Sequence, residues 1–323
     1  MKRIVLFDCD PGHDDAIALL LAFSSDLLEV RTVTVSAGNQ TVEKTLHNAK
    51  RIVSCAQRAA GPSFRAPRIA RGAPKPLFRE LIVAPAVHGE SGLDGPSIPD
   101  SDIAEEPNGA IALMREEILA APRPVTLVAT CPLTNVASLF ITHPEVKERI
   151  ELISMMGGAV VGGNWTPAAE FNILVDPEAA DIVFRSGVPL VMAGLDVTHK
   201  ALIYPREVEI IRNLGGSIAV LVAELIDFFS RFHLETGFAG SPIHDACAVA
   251  YLIAPQLFRL EHYHIDIETT GMYTTGATVA DIHHVTCAPA NVRACMDIDR
   301  QGFFTLLCDA VRYYGALEER RTS

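Results

Sequence analysis

The feature that most constrains the fold is an alternation of short apolar runs with longer helical stretches. Ile4–Phe7 is apolar throughout and Leu28–Val35 is rich in β-branched residues, as buried strands are. The further strands predicted are Val125–Thr130, Glu151–Met156 and Pro189–Ala193, and the helices are Ala16–Phe23, Val42–Ala59, Gly109–Ala120, Leu133–Thr142 and Pro177–Arg185. Such alternation predicts an α/β fold with an open, mostly parallel sheet that carries helices on both faces.

The last third of the chain continues with a less regular pattern. Ser217–Phe232 has the length of a helix, and Phe303–Tyr314 has the spacing of a closing amphipathic helix. Tyr263–Thr270 and Thr278–His284 alternate well enough to be predicted as late strands. The sequence has no internal repeat, low-complexity linker or break in composition, so we expect one domain over residues 1–323.

Charge and cysteine usage narrow the class of protein. The net charge of −12 over 323 residues argues against a nucleic-acid partner, because phosphate backbones are bound by basic surfaces. The seven cysteines are scattered and form no C-x-x-C pair, which is typical of reduced thiols in a cytoplasmic protein. No apolar run is long enough to span a bilayer, so we expect no membrane partner.

Polar and glycine-rich segments follow five of the predicted strands. Ligands of open α/β sheets bind beyond the carboxyl ends of the strands, so these segments are expected to meet at one crevice. The segments are Asp8–Asp15, Ser36–Asn39, Thr130–Asn135, Gly157–Asn164 and Asp196–His199.

The first of these segments contains four carboxylates within eight residues, Asp8, Asp10, Asp14 and Asp15, around a Pro-Gly turn. One such acid could simply cap the following helix. Four cannot all do so, and two carboxylates about 4 Å apart repel by roughly 4 kcal/mol at an effective dielectric of 20. No Lys or Arg lies in the segment, and His13 is its only possible cation. A metal ion is therefore expected.

Oxygen ligands without cysteine favour Ca²⁺ or Mg²⁺ over Zn²⁺, and calcium better tolerates an irregular shell. Asp245, which precedes the apolar run Ala246–Ile253, is a candidate for a further ligand. An aspartate at that position could also be an ordinary helix cap.

The string Asp8-Cys9-Asp10-Pro11-Gly12-His13-Asp14-Asp15-Ala16 resembles the N-terminal signature of the inosine–uridine preferring nucleoside hydrolases. Further segments match that family in the same order, and the resemblance spans residues 4 to about 315. They are Gly38-Asn39, His88-Gly89-Glu90-Ser91-Gly92, Thr130 with Leu133-Thr134-Asn135, Met156-Gly157-Gly158, Asn164, Glu170-Phe171-Asn172, Asp176-Pro177-Glu178-Ala179-Ala180, Gly194-Leu195-Asp196-Val197-Thr198 and His244-Asp245.

The resemblance implies a Ca²⁺-dependent hydrolase that splits the N-glycosidic bond of ribonucleosides into free base and ribose. It further implies an open, Rossmann-like sheet (the nucleoside hydrolase fold) and a homo-oligomer, either a tetramer or a dimer. The implied calcium ligands are Asp10, Asp15, Asp245 and the backbone carbonyl of Thr130. The implied substrate contacts are Asp14, Asn39, Asn164, Glu170 and Asn172 near the ribose, with Met156 beneath it. His88 lies in a glycine-rich loop and could line the base pocket or be a solvated side chain.

Two of these residues are expected to carry the chemistry. Glycosidic cleavage passes through an oxocarbenium-like state that is attacked by water on the face opposite the base. Asp10, bound to the calcium ion, is the expected general base for a metal-bound water. His244 resembles the histidine that assists the departing base, and an imidazole can protonate a leaving group near neutral pH. His88 could share that role.

Several of these residues also have plain structural interpretations. Asn164 follows two glycines and could be a turn residue. Glu170 and Asn172 alternate around Phe171, which would place both side chains on one side of an extended segment. His199, close after Asp196, is interpreted as a structural hydrogen-bond partner. Helical spacing predicts core packing for Phe228 and Phe229, and only Phe232 or Phe238 is expected to turn towards the nucleobase.

Two other functions compete with this interpretation. A phosphatase of the haloacid dehalogenase type also places Asp-x-Asp after its first strand, but Gly12 is not the residue such a motif favours and no phosphate-binding lysine follows. A non-catalytic nucleoside-binding protein would share the fold but would not need every candidate acid. Release of phosphate, or stable binding of intact nucleoside, would distinguish these alternatives.

Overall fold

The computed structural model describes residues 1–322. Its strands are β1 (Arg3–Cys9), β2 (Leu28–Val35), β3 (Arg68–Arg71), β4 (Val125–Ala129), β5 (Ile150–Met156), β6 (Leu190–Ala193), β7 (Leu202–Ile203), β8 (Ser241–Pro242), β9 (Phe258–Tyr263), β10 (Ile265–Ile267), β11 (Thr278–Ala280) and β12 (Val292–Ile298). Its α-helices are α1 (His13–Ser24), α2 (Val42–Ala60), α3 (Pro85–His88), α4 (Gly109–Ala120), α5 (Thr134–Thr142), α6 (Phe171–Val175), α7 (Pro177–Phe184), α8 (Leu195–Thr198), α9 (Pro205–Arg212), α10 (Ser217–Glu235), α11 (Ala246–Ile253) and α12 (Arg300–Thr322).

Eight strands form the central sheet in the order β3-β2-β1-β4-β5-β6-β12-β9. Neighbouring strands are parallel except for β9, which runs antiparallel to β12 at one edge. The chain order reverses between β1 and β4, and a crevice opens at the carboxyl ends of strands at such a point. The predicted open, mostly parallel sheet is confirmed.

Helices cover both faces of this sheet because side chains of the central strands alternate between two apolar layers. In β1, Val5 and Phe7 pack into the layer that contains α1, α2, α10, α11 and α12. Ile4 and Leu6 pack into the opposite layer, with α4, α5 and α7. A strand that is buried on both faces has no solvent-facing side, so its sequence is a continuous apolar run and does not alternate between polar and apolar residues.

The predicted late strands were only partly right. The segment Thr278–His284 contains the short β11, which pairs antiparallel with β10 outside the central sheet. The strands that complete the central sheet are β9 and β12, and neither was predicted over its actual range. Both strands carry charged and half-buried side chains near the sheet edge, so the apolar pattern that marks a strand is weak in their sequences. No helix within residues 1–322 is long and apolar enough to cross a membrane.

Candidate active site

A pocket of about 250 Å³ opens at the carboxyl ends of the central strands. All five segments that were predicted to meet there contribute to its wall: Asp14 after β1, Asn39 after β2, Thr130 after β4, Asn164 after β5 and His199 after β6. The predicted shared crevice is therefore confirmed. It follows from parallel strand order, since parallel strands end at the same edge of a sheet.

Three carboxylates lie together at one end of the pocket. Asp14, Asp15 and Asp245 each offer an oxygen within 4.8 Å of the other two, and all three residues are buried. Asp14 and Asp15 lie in the first turn of α1, whereas Asp245 precedes the first residue of α11. Oxygens at this spacing suit a hard divalent cation.

The capping interpretation of these acids is also partly correct. Asp15 Oδ2 accepts a hydrogen bond from the backbone amide of Gly12 at 3.0 Å, which caps the start of α1. Its other oxygen accepts from the Thr130 hydroxyl at 2.7 Å, and the Asn39 amide also donates to Oδ2 at 3.1 Å. Asp15 is thus held in place by three elements, and it remains within reach of a shared cation.

Asp10 lies beside this group and is fully buried. Its Oδ2 accepts the backbone amide of Asn39 at 2.6 Å, but Oδ1 has no hydrogen-bond partner among the described residues. A buried carboxylate oxygen without a partner is costly unless a cation or a water molecule satisfies it. The metal cluster contains Asp14, which was expected to bind ribose, while Asp10 lies outside it.

The buried carboxylates at this site repel one another unless a positive charge lies among them. Burial raises the pKa of Asp14 to about 7 and that of Asp15 to about 6, and burial with neighbouring negative charge raises the pKa of Asp10 and Asp245 well above the usual range. His13 does not supply the charge, because burial lowers its pKa to about 4. These acids form no salt bridge within residues 1–322. The donor set therefore fits a divalent metal ion.

Asp8 has a different role from the other acids of its segment. Its carboxylate accepts hydrogen bonds from the Thr34 hydroxyl at 2.6 Å and the Asn135 amide at 2.8 Å, and the Cys131 thiol lies 3.5 Å away. Asn135 in turn accepts the backbone amide of Ala73. Asp8 thereby ties together the ends of neighbouring strands and needs no cation for its hydrogen bonds.

The extended segment predicted around Phe171 was wrong. Glu170 is the N-cap of the short helix α6, and its carboxylate accepts the backbone amides of Gly158, Asn172 and Ile173. A helix start leaves amides unpaired, and a carboxylate side chain at the cap satisfies them. Glu170 still lines the pocket, but most of its hydrogen-bonding capacity is used by the backbone.

The other predicted sugar contacts surround the carboxylates. Asn172 donates to the backbone carbonyl oxygens of Thr130 at 3.1 Å and Met156 at 3.3 Å. Asn164 accepts the amide of Phe171 through Oδ1 at 3.0 Å, so its Nδ2 has no described partner. Asn164 is therefore both a loop-fixing residue and a residue of the pocket wall.

Two of the histidines that line the pocket are those expected near the base, His88 and His244. His244 Nδ1 lies 2.8 Å from the Thr198 hydroxyl. His88 Nδ1 lies 3.3 Å from the backbone amide of His13 and 3.2 Å from the His13 ring, which contacts the Asp94 carbonyl through Nε2 at 2.8 Å. Burial lowers the pKa of both His88 and His244 well below the usual value, so both are neutral at pH 7.

Aromatic side chains line the pocket beside these histidines. Phe232 and Phe238 line the pocket, as the sequence predicted, but so does Phe229, which was expected only in the core. His199 packs edge-to-face against Phe238, with ring centroids 5.0 Å apart, and has no hydrogen bond to Asp196 within the described residues. Asp196 instead accepts the backbone amides of the loop after β5. His199 therefore lies in the pocket wall and does not form the structural hydrogen bond that was expected.

The sequence profile described as inosine-uridine preferring nucleoside hydrolase matches residues 5–305. The chain belongs to this family. Pyrimidine-specific ribonucleoside hydrolase RihA of Salmonella typhi is 51% identical over 316 residues, which are 97% of this chain and 100% of that protein. The RihA protein of Salmonella typhimurium is equally similar. A solved structure, the purine-preferring ribonucleoside hydrolase from Gardnerella vaginalis, has a TM-score of 0.88 at 28% identity and covers 98% of this chain and 100% of that one.

Membership of the nucleoside hydrolase family confirms the predicted fold, the enzyme class and the hydrolysis of ribonucleosides to base and ribose. It removes the phosphatase and non-catalytic interpretations. The pocket of this nucleoside hydrolase contains ten of the twelve predicted site residues. Asp10 and Asp15 are the other two, and both lie fully buried below it.

His233 and Trp165, which were not predicted from the sequence, also line the pocket of this nucleoside hydrolase. His233 lies one helical turn after Phe229, so both occupy the same face of α10. That spacing was a usable signal, because Phe229, Phe232 and His233 share the helix face that meets the pocket. Trp165 packs against Phe171 with tilted rings whose centroids are 4.8 Å apart, and it gave no signal beyond being the single tryptophan.

Proposed function

We propose that this nucleoside hydrolase acts on pyrimidine ribonucleosides with the help of a bound calcium ion. The observation that carries the proposal is that the pocket combines two groups of side chains. The first is the clustered carboxylates of Asp14, Asp15 and Asp245, and the second is the neutral imidazoles of His88 and His244 beside Phe229. The first suits a cation and a polar sugar, whereas the second suits a flat, uncharged base.

Calcium would be held by Asp10, Asp15, Asp245 and the carbonyl oxygen of Thr130. Support comes from carboxylates whose pKa is raised by burial and by the negative charge of the neighbouring aspartates. A cation would lower these pKa values and would supply positive charge for the attacking water and the sugar hydroxyls. Asp14, one of the three clustered acids, would share its contacts between the cation and a ribose hydroxyl.

Ribose would lie between Asp14, Asn39 and Asn164. Asn39 donates through Nδ2 to Asp15 and to the Asp10 carbonyl, which leaves Oδ1 to accept from a hydroxyl. Asn164 offers Nδ2 as a donor, because its Oδ1 is already bonded to the Phe171 amide. Met156, which is buried in the same wall, would pack beneath the sugar ring. Fixed polar groups of this kind orient the substrate at little cost during the reaction.

Asp10 would accept the proton of the attacking water through Oδ1, the oxygen that has no other partner. On the opposite side, His244 would stabilise the negative charge that develops on the departing base by donating a hydrogen bond to it, because a neutral imidazole does not release its remaining proton near pH 7. A hydroxyl can donate to an imidazole nitrogen, so a hydrogen bond from Thr198 to Nδ1 fixes the neutral tautomer that carries its proton on Nε2. That N–H is then the group available to the base.

The pyrimidine preference rests on the relatives that are 51% identical and are named pyrimidine-specific. The purine-preferring structure is more distant, at 28% identity. The test is a panel of uridine, cytidine, inosine and adenosine, followed by chromatography for free base and ribose. Fast release of uracil and cytosine is expected, and preferential release of hypoxanthine would contradict the proposal.

Three further expectations stay predictions: a single domain over the whole chain, a homo-oligomer and a cytoplasmic location. The first is supported by the central sheet, whose strands are drawn from Arg3–Cys9 at one end of the chain to Val292–Ile298 at the other. Closing helix α12 also packs against α1, where the Tyr314 hydroxyl donates to the Leu20 carbonyl at 2.9 Å.

A further inference from the structure

His233 is a pocket residue that neither the calcium site nor the proposed proton transfers use. It lies near the carboxyl end of α10 and is 5% exposed. Its Nδ1 is 2.9 Å from the backbone carbonyl oxygen of Phe229, one turn earlier. A carbonyl oxygen can only accept, so Nδ1 must carry the proton of this hydrogen bond.

The opposite ring nitrogen of His233 is then fixed as an acceptor. Burial lowers the pKa of His233 to about 4, so the ring is neutral and has one N–H only. Its Nε2 forms no hydrogen bond with a described residue. This nitrogen is also not fully enclosed by protein atoms. Because His233 lines the pocket, this nitrogen is open to a ligand there.

The surroundings of His233 suit a flat aromatic ligand. Phe229 and Phe238 meet its ring edge-to-face, with centroids 4.4 and 5.7 Å away, and the His244 ring is 5.9 Å away. A base that reaches His244 therefore lies close to His233 as well. Apolar walls with one placed polar atom hold a flat ring and also select its hydrogen-bonding edge.

We infer that His233 is a specificity-determining residue whose Nε2 accepts a hydrogen bond from an N–H on the edge of the nucleobase. The inference rests on the proposed function. The matching donors are the N3–H of uracil and the exocyclic amino group of cytosine, both on the edge away from the glycosidic bond. A base without such an N–H leaves a buried acceptor unpaired, which is how polar pockets reject analogues.

Two substitutions separate this role from a structural one. His233→Asn keeps an amide N–H at the reach of the imidazole Nδ1, so it preserves the bond to Phe229 but removes Nε2. His233→Gln places an amide oxygen at the reach of Nε2. The assay compares kcat/KM for uridine and cytidine with that for p-nitrophenyl riboside, whose leaving group has no N–H.

His233→Asn should lower kcat/KM for uridine and cytidine about 10- to 100-fold, the effect of one lost hydrogen bond in a buried site. The value for p-nitrophenyl riboside should stay within about threefold, because the sugar contacts are unchanged. His233→Gln should recover most of the loss. An equal loss on all three substrates, or no loss on uridine, would overturn the inference.

A second measurement needs no variant and decides the matter if the variants fold poorly. Uracil should inhibit hydrolysis of p-nitrophenyl riboside at least about tenfold more strongly than 3-methyluracil, which lacks the N3–H. Equal inhibition by the two would overturn the inference. Failure of the proposed function is distinguishable, since the parent enzyme would then release hypoxanthine in preference to uracil and cytosine.

Discussion

The backbone amide of Asn39 donates to Asp10 Oδ2 at 2.6 Å, which leaves Asp10 Oδ1 unpaired. The same asparagine donates through its side chain to Asp15 at 3.1 Å. Asn39, which follows β2, thus orients both Asp10 and Asp15, which follow β1. It can do so because parallel neighbouring strands bring their carboxyl ends together. Asp10 is consequently held by one oxygen and free at the other.

Replacing Asp10 tests the role of that free oxygen. Asp10→Asn keeps the side-chain volume and an acceptor for the Asn39 amide, but it removes the charge and the base. We expect kcat to fall by about 10²- to 10⁴-fold, the usual range for a lost general base. In the presence of chelator the melting temperature should be unchanged or higher, because the substitution removes a buried acid from a repulsive cluster. Activity within about tenfold of the parent would contradict the assignment.

Metal removal should have a pH-dependent effect on stability. The folded protein holds Asp14 and Asp15 at pKa values of about 7 and 6, above their ordinary value of 3.8. Over that interval the folded state binds more protons than the unfolded chain, so without metal the free energy of unfolding falls as pH rises. Calcium should raise the melting temperature most at the upper end, where protons no longer compete with it.

The check is a thermal melt with chelator or with calcium from about pH 5 to about pH 8. The difference between the two conditions should grow with pH, and the matched variant Asp14→Asn should flatten it. A chelated protein that keeps both its melting temperature and its activity would rule out the metal.

The ribose hydroxyls are expected to be essential. Removing the 2′-hydroxyl would leave the cation and the buried carboxylate of Asp14 without a partner. Each of these losses is worth a few kcal/mol, so 2′-deoxyuridine should react on the order of 10³-fold more slowly than uridine. Initial rates measured side by side decide this, and equal rates would disprove the proposed sugar contacts.

His244→Ala should separate leaving-group chemistry from sugar chemistry. Loss of the hydrogen bond that stabilises the departing base should slow uridine about 10²- to 10³-fold. Hydrolysis of p-nitrophenyl riboside should be largely retained, because nitrophenolate leaves without protonation. Thr198→Val is the matched control: it removes the hydroxyl that contacts Nδ1 at 2.8 Å and should weaken only the natural substrates, by a smaller factor. If His244→Ala loses the same activity on both substrates and also binds calcium more weakly, the only role left for His244 would be to position Asp245.

Gly12 should tolerate no side chain. A Cβ atom there would lie 2.5 Å from the His88 ring and 2.8 Å from Asn39 Nδ2. The backbone of Gly12, at φ −98°, is open to any residue, so the effect of Gly12→Ala would be purely steric. We expect a loss of activity through displaced His88 and Asn39, with a smaller loss of thermal stability. Unchanged kinetics would show that neither residue needs its present position.

Much of this site could be predicted because its residues follow strong local signals. The acids of the first segment come directly after a buried strand, and the meeting of five strand ends follows from parallel topology alone. Glu170 shows the limit of such reasoning. Alternation suggested an extended segment, yet the residue caps α6, because its carboxylate can satisfy three backbone amides that become unpaired only once the chain turns there.

The sequence alone determined most of the strand and helix order up to β6, the family and the chemical types gathered at the strand ends, because periodicity and motif spacing are local properties of the chain. Only the tertiary structure decided which of those groups share a contact. It brought an oxygen of Asp14 within 4.8 Å of Asp15 and Asp245, and it turned His233 into the pocket. These outcomes depend on how separate elements pack, and a side chain's partner across the fold leaves no periodic mark in the sequence around it.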